Sequence, residues 1–168
     1  VGYCFMTHNI STIGYELKPV KIGYMPLSKY GTDWIKKANI VLSEFSDIFK
    51  ETGIPQKVQI ESALLSYANT PTMKSNQNTI ITLAKFNGVI TWALHRITRV
   101  YPIHIHPQTA RKNVWGTTFQ AIKGSENKKK EILKNVLLKY PDLQNQFPLK
   151  KDGSFKKECY DISDAITI

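Results

Sequence analysis

The stretch KVQIESALL, residues 57–65, predicts the fold class of this 168-residue chain. Its apolar start is typical of a short buried strand, and Glu61 falls where that strand ends. A polar loop and a long apolar helix over residues 75–99 follow, and VYPIHIH, residues 100–106, then predicts another strand. A strand, a helix and a second strand in this order favour a parallel pair, and therefore an α/β fold.

Further elements are predicted on both sides of this segment. VGYCFM (1–6) and PVKIGYMPL (19–27) indicate two strands of a hairpin or meander, and a helix runs from residue 32 to Gly53. A short basic helix in TARKNVWG (109–116), a lysine-rich helix over 125–140 and a final helix starting at Asp161 complete the chain. Since no repeat or linker separates these elements, we expect one domain over residues 1–168.

The helix over residues 75–99 is apolar almost all round. This pattern predicts that the helix is covered on more than one side, either centrally or at a subunit interface. Gly88 in its middle costs about 1 kcal/mol relative to Ala. Close approach of another backbone and a tolerated accident explain that glycine equally well.

The net charge of +10 and the pI near 9.6 favour a polyanionic partner. Late lysines cluster in KGSENKKKEILKNVLLKY (123–140) and LKKDGSFKKE (149–158), with aromatic residues interleaved. This mixture suits a nucleic-acid face better than a membrane surface, although a generally basic surface is the alternative. No apolar run could span a bilayer and no signal peptide is recognised, so we expect no membrane partner. Cys4 and Cys159 imply no disulfide framework, so a cytoplasmic setting is expected.

Three carboxylates are candidate metal ligands. Asp161 and Asp164 project to one side of a helical turn, where their oxygens suit Mg²⁺ or Mn²⁺. The same DISD segment also suits a helix cap, with Asp161 as N-cap and Asp164 at N3. Glu61 lies at the carboxyl end of a strand, where α/β sheets gather their sites, or else solubilises the strand edge. Two ions about 4 Å apart could neutralise such carboxylates, activate water and stabilise the leaving oxygen in phosphodiester hydrolysis.

Other residues support weaker hypotheses. His104 and His106 face the same side of a predicted strand, but zinc would need further nitrogen or sulfur ligands, so packed or site-edge histidines are favoured. Tyr67, in the loop after Glu61, could stack on a base or take part in ordinary loop packing. No phosphate-binding glycine loop and no nucleophile elbow occurs in the sequence.

Several segments together, in order and spacing, resemble the RuvC-like Holliday junction resolvases of the RNase H-like superfamily, particularly the phage-type members: VGYCFM, QIESALLSYAN, LAKFNGVI, IHPQTARKNVWG and DISDAITI. The resemblance covers most of the chain. It implies a mixed central sheet flanked by helices, and a homodimer that cuts four-way DNA junctions with two Mg²⁺ ions in recombination and repair. Glu61, Asp161 and Asp164 would be the catalytic metal ligands. The residues expected to contact DNA are Tyr67, Arg111, Lys112, Lys128, Lys129, Lys130, Lys156 and Lys157.

One departure from the family pattern concerns its first strand, which carries a catalytic Asp. This sequence begins after the place where that strand would lie, so we expect the native protein to be longer than the sequence printed here. The alternative function is a non-catalytic nucleic-acid-binding module on the same fold. A sugar-kinase or actin-like relative is disfavoured, because its phosphate-binding glycine loops are not found.

Overall fold

The structure, a computed structural model, describes residues 1–11, 14–62, 77–116 and 124–168. The chain forms two compact units: unit 1 comprises residues 1–26 and 110–168, and unit 2 comprises residues 27–109. Helices and strands are mixed, as the α/β prediction requires. A division into compact units does not decide how many domains a chain forms, so the single domain stays a prediction.

Unit 1 contains an antiparallel hairpin of β1 (Gly2–Ser11) and β2 (Gly14–Tyr24). The hairpin lies where two strands were predicted, and β1 continues beyond Met6. The register shifts between Phe5 and Met6, and Pro19 is the partner of Met6 there. A shift at this place is expected, because Pro19 has no N–H to donate to the ladder.

The helices of unit 1 cover one face of this hairpin. They are α4 (Ser125–Lys139) and α5 (Glu158–Thr167), together with a 3-10 helix at Pro141–Gln146. A further helix, α3 (Pro107–Trp115), crosses the boundary between the units in the chain. The core side chains are Ile22, Ile132, Leu133, Val136, Leu143, Phe147, Cys159, Ile162 and Ile166.

Both cysteines lie in unit 1, and both are free thiols. Cys159 is fully buried, and its Sγ contacts the Pro148 carbonyl oxygen at 3.2 Å. Burial raises the pKa of the Cys4 thiol to about 12 and also raises the pKa of Cys159. The two sulfur atoms therefore behave as small apolar groups of the core.

The final helix begins earlier than predicted, so the assignment of Asp161 as its N-cap and Asp164 at N3 is wrong. α5 starts at Glu158, Lys157 is its N-cap residue, and no side chain caps it by a hydrogen bond. The physical reason is the buried side of the helix, because Cys159, Ile162 and Ile166 recur at helical spacing and all face the core. The apolar stripe thus begins before DISD.

Unit 2 has the predicted order of strand, helix and strand. β3 (Gln59–Glu61) and β4 (Ile103–Ile105) are parallel and are joined in the chain by α2 (Gln77–Thr98). Each described sheet has two strands, so one mixed central sheet is not formed by the described residues. The first helix of the unit, α1 (Trp34–Thr52), follows a 3-10 helix at Leu27–Tyr30 and ends at Gly53, as predicted.

Helix α2 packs one face against α1 and exposes another. Ile90, Ala93 and Leu94 are buried, whereas Trp92 is 52% exposed, as are Ile81 and Leu83 to similar extents. Within the described residues α2 is therefore not central, and the alternative, coverage of its exposed face by a second subunit, stays a prediction. Although α2 is apolar, no described helix is both long and apolar enough to cross a membrane.

Gly88 lies on the open side of α2. A Cβ added there would meet no described atom within 4 Å, so the predicted close approach of another backbone is not found in the described part of the chain. The glycine instead lowers the surface of α2 between α1 and β4.

We expect Gly88→Ala to raise the free energy of unfolding by about 1 kcal/mol, because alanine has the higher helix propensity and the added methyl group has free space. Urea-induced unfolding followed by circular dichroism measures this change. Gly53→Ala is the matched control: its Cβ also has free space, but its φ of 81° strains any L-residue, so stability should fall. A loss of stability in Gly88→Ala would contradict the open surface.

Candidate metal and nucleic-acid site

Asp161 and Asp164 lie one turn apart on α5, which packs against β1. Gly2 permits this packing, because a Cβ at that position would collide with the backbone of Asp161 and Ile162. The apolar stripe of α5 faces the core, so the two carboxylates project from the other side of the helix. The sequence prediction that they share one side of a turn agrees with this arrangement.

Two cations lie beside these carboxylates. An Arg111 Nη2–H donates to Asp164 Oδ1 at 2.9 Å, and Lys129 Nζ lies 3.9 Å from Asp161 Oδ1. The Asp164 side chain is 13% exposed, whereas that of Asp161 is 45% exposed. We call these four residues the α5 carboxylate cluster. Its better-buried half is the Arg111–Asp164 pair, which water screens least.

The protonation of Asp164 reflects this environment. Burial raises the pKa of Asp164, and the neighbouring charge of Asp161 acts in the same direction. Arg111 and Lys129 oppose the shift without cancelling it. Ionisation of Asp164 beside Asp161 is therefore unfavourable relative to an isolated aspartate in water. A further positive charge near Asp164 would favour its carboxylate form.

The remaining lysines of the predicted DNA face belong to unit 1 and differ in their surroundings. Lys130 pairs with Glu126 at 2.9 Å on α4, although both side chains remain largely exposed. Lys112, Lys156 and Lys157 are exposed, and Lys128 is half-buried. The predicted nucleic-acid residues of α3, α4 and the start of α5 thus combine exposed lysines with the two cations of the cluster.

Glu61 belongs to unit 2 and is the last residue of β3, as predicted. It is exposed, its register partner on β4 is Ile105, and the Asn87 side-chain amide donates to its carbonyl oxygen. The Ser62 N–H donates to the Ile105 carbonyl oxygen at 2.9 Å, which fixes the chain just after Glu61. Tyr67 lies outside the described residues.

Within either unit, the described His, Cys, Asp and Glu side chains form no group of three that could hold a metal ion. Unit 1 brings together two of the three predicted ligands, Asp161 and Asp164, and Glu61 lies in unit 2. A site built from all three residues stays a prediction.

Sequence reasoning missed two features near the strand ends. Thr91 on α2 contacts His104 Nε2 at 3.3 Å, and His95 Nδ1 contacts the Val100 carbonyl oxygen at 3.3 Å. Both histidines also line a groove of unit 2, and their role at a site edge stays a prediction. The signal in the sequence was the polar pair Asn87 and Thr91, one turn apart on an otherwise apolar helix.

We expect Arg111→Ala to lower the free energy of unfolding by about 3 kcal/mol at neutral pH, because a poorly hydrated Asp164 carboxylate would lose its partner. The loss should shrink in acid. The raised pKa means that the native state binds this proton more tightly than the unfolded state, so stability falls as pH rises through that pKa. Chemical unfolding in EDTA across a pH series measures both effects.

The neighbouring exposed Lys112 provides the control, since Lys112→Ala should change stability little at any pH. Adding Asp164→Asn to Arg111→Ala should recover part of the lost stability, because the uncompensated charge is removed. A loss that stays constant from acid to neutral pH would show that the guanidinium acts by packing alone.

Comparison with known proteins found no family model, no curated protein and no solved structure that matches this chain.

Proposed function

We propose that the protein is a Mg²⁺-dependent, structure-selective DNA endonuclease that resolves four-way junctions. The observation that carries the proposal is the α5 carboxylate cluster, in which Asp161 and Asp164 project together beside Arg111 and Lys129. Carboxylates that bind metal and cations that bind phosphate are the two kinds of group that phosphodiester hydrolysis needs. The resemblance to RuvC-like resolvases supplies the substrate class.

The carboxylate oxygens of the cluster are the kind of ligand that a hard cation binds. Carboxylate oxygens are the ligands that Mg²⁺ prefers, and a bound cation would favour the ionised form of Asp164, which burial and the nearby Asp161 charge now disfavour by raising its pKa. Asp161 and Asp164 would hold the ion, and the resemblance to RuvC-like resolvases assigns the role of a further ligand to Glu61. Bound Mg²⁺ would supply an activated water and stabilise the charge on the leaving oxygen.

The cations of unit 1 would serve the DNA backbone. In this structure Arg111 donates to Asp164. In the complex with DNA, its planar guanidinium could instead donate two parallel hydrogen bonds to one phosphate. The lysines of α3, of α4 and of the segment just before α5 would hold phosphates further along the strands: Lys112, Lys128, Lys129, Lys130, Lys156 and Lys157. Such contacts position the DNA without reading its sequence, so selectivity would come from the shape of the junction.

The order of elements supports an RNase H-like arrangement for this proposal. An antiparallel hairpin precedes a parallel strand pair joined through α2, and in chain order Glu61 ends β3 and the two aspartates lie on the final helix. A catalytic Asp supplied by a preceding strand would complete the carboxylate set.

A homodimer through α1 and α2 is part of the same proposal. Ile35 is 77% exposed and Trp92 is 52% exposed, and they line a shallow groove between these helices together with Trp34, Ala38 and Val89. Contiguous exposed apolar surface of this kind is typical of a protein–protein interface. A homodimer with two-fold symmetry would carry two nuclease sites, one for each of two opposed strands.

A non-catalytic junction-binding module is the second candidate, and one observation favours it. Arg111 and Lys129 already compensate the α5 carboxylates, so a metal ion is not required to balance their charge. Such a module would bind branched DNA through the same lysines without cutting it.

The decisive experiment incubates the native protein with Mg²⁺ and a labelled four-way junction, beside a linear duplex of the same sequence. We expect paired, symmetric nicks in the junction and little cutting of the duplex. Asp161→Asn should lower the cutting rate at least about a hundredfold, because the variant loses a charged metal ligand, while its affinity for the junction in EDTA should be kept. Denaturing gels measure cleavage, and gel shifts measure binding.

The second candidate gives a different result in this experiment. Tight junction binding without cutting in Mg²⁺ or Mn²⁺ would establish the binding module, and equal cutting of both substrates would keep the nuclease and remove its junction selectivity. Glu126→Gln is the matched control for Asp161→Asn, because Glu126 is an exposed acid of unit 1 outside the cluster.

Ile35→Gln should weaken the homodimer about tenfold or more, because it places an amide in the middle of the apolar groove. Sedimentation velocity over a range of protein concentrations measures the monomer–dimer equilibrium. Ile54→Gln is the control, since Ile54 is 64% exposed and lies outside this groove. Equal dimerisation of both variants would place the interface elsewhere.

A further inference from the structure

A second groove of unit 2, of about 640 Å³, lies between α2 and the strand pair. Ser62, which directly follows Glu61, lines it at one side, and Tyr101, which precedes β4, lines it at another. Thr91, His95 and His104 line the groove with polar groups. The groove is mostly apolar, which suits a flat organic ligand better than an ion.

An exposed aromatic ring forms one side of the groove. Tyr101 is 72% exposed, although its ring is large enough to stabilise a core. The His95 and Tyr101 rings meet edge to face, with centroids 6.0 Å apart, so His95 holds one edge of the tyrosine ring. A supported, exposed aromatic ring is a stacking platform.

The polar groups of the groove have a defined hydrogen-bonding state. The Thr91 hydroxyl donates its single proton to the Asn87 carbonyl oxygen at 2.8 Å, so it can only accept from His104 Nε2–H. The Nδ1 atom of a neutral His104 is then an acceptor. The Val100 carbonyl oxygen likewise accepts from His95 Nδ1–H, which leaves Nε2 of a neutral His95 as an acceptor. Ring nitrogens that accept can pair with the N–H groups of a nucleobase.

The charge around the groove suits a polyanion. Residues 62–125 contain no Asp or Glu, whereas Lys85, Arg96 and Arg99 lie on α2 or just after it. The Arg96 guanidinium carbon lies 5.6 Å from the centroid of the Trp92 ring, which places a phosphate-binding group beside an aromatic wall.

We propose that this groove binds one unpaired nucleobase of single-stranded or locally opened DNA, which stacks on Tyr101 while its backbone lies along the arginines. The inference rests on the proposed function, since the bound base would belong to the nucleotide next to the phosphate that the nuclease cuts. Ser62 connects the groove directly to Glu61, so a base held here brings its own strand to that carboxylate.

The test measures binding in EDTA, with two fluorescent probes of equal length: an oligothymidylate and an abasic oligonucleotide with the same phosphates. We expect the native protein to bind the oligothymidylate about tenfold more tightly, the gain typical of one stacked base. Tyr101→Ala should reduce that affinity to the abasic level and leave abasic binding unchanged. Tyr101→Phe should keep the preference, because stacking needs the ring and not its hydroxyl group.

Matched controls separate this groove from the neighbouring surface. Ile35→Gln changes only the groove between α1 and α2, so it should leave the base preference intact. Gly88→Leu fills the open space on α2 without truncating an aromatic ring, and it should also abolish the preference, which keeps the test decisive if Tyr101→Ala does not fold. Circular dichroism checks the fold of each variant.

Two outcomes would overturn the proposal: equal affinity of the native protein for both probes, or a loss in Tyr101→Ala that is the same for both. Neither outcome depends on cleavage. If the protein does not cut the junction but still prefers the oligothymidylate, the proposed nuclease function is wrong and the proposal of base binding in the groove stands. If cutting succeeds without a base preference, the groove alone is wrong.

Discussion

The buried stripe of α5 is the constraint on which the candidate site depends. Cys159, Ile162 and Ile166 enter the core between the hairpin and α4, and Gly2 lets the hairpin approach the helix backbone directly. With that side of the helix fixed, Asp161 and Asp164 have only the opposite side to occupy. Helix geometry thus places two negative charges close together, and ion pairs with Arg111 and Lys129 compensate them.

The same two cations separate the two proposed functions. As fixed partners, they make the carboxylates a structural feature of a binding module. In a nuclease, a metal ion would replace Arg111 and Lys129 as the partner of the aspartates, and the two cations would move to DNA phosphates. Every charge of the cluster would then keep a partner of opposite sign. The position of Asp164, buried enough to make ionisation costly, makes such an exchange energetically significant.

Elements that local sequence patterns define were predicted well. Gly53 ends α1, α4 fills the segment predicted as a lysine-rich helix, and Glu61 closes a short parallel strand. The start of α5 was missed because DISD imitates a capping box, while the deciding residue, Cys159, was read as a redox feature and not as an apolar position. The Arg111–Asp164 pair spans 53 residues of sequence, and no local pattern predicts such a contact. The sequence left open whether α2 is central or lies at a subunit interface, because an apolar pattern alone does not tell which neighbours cover a helix.

The raised pKa values of the two thiols have a practical consequence. Because Cys159 lies in the core of unit 1, Cys4 packs against that core and burial raises the pKa of both thiols, neither is a ready nucleophile in the folded protein. A cysteine introduced on an exposed helix face would therefore react selectively with a maleimide dye. The native sequence is in effect a labelling background, on which the distance between the two units can be followed by fluorescence as DNA binds.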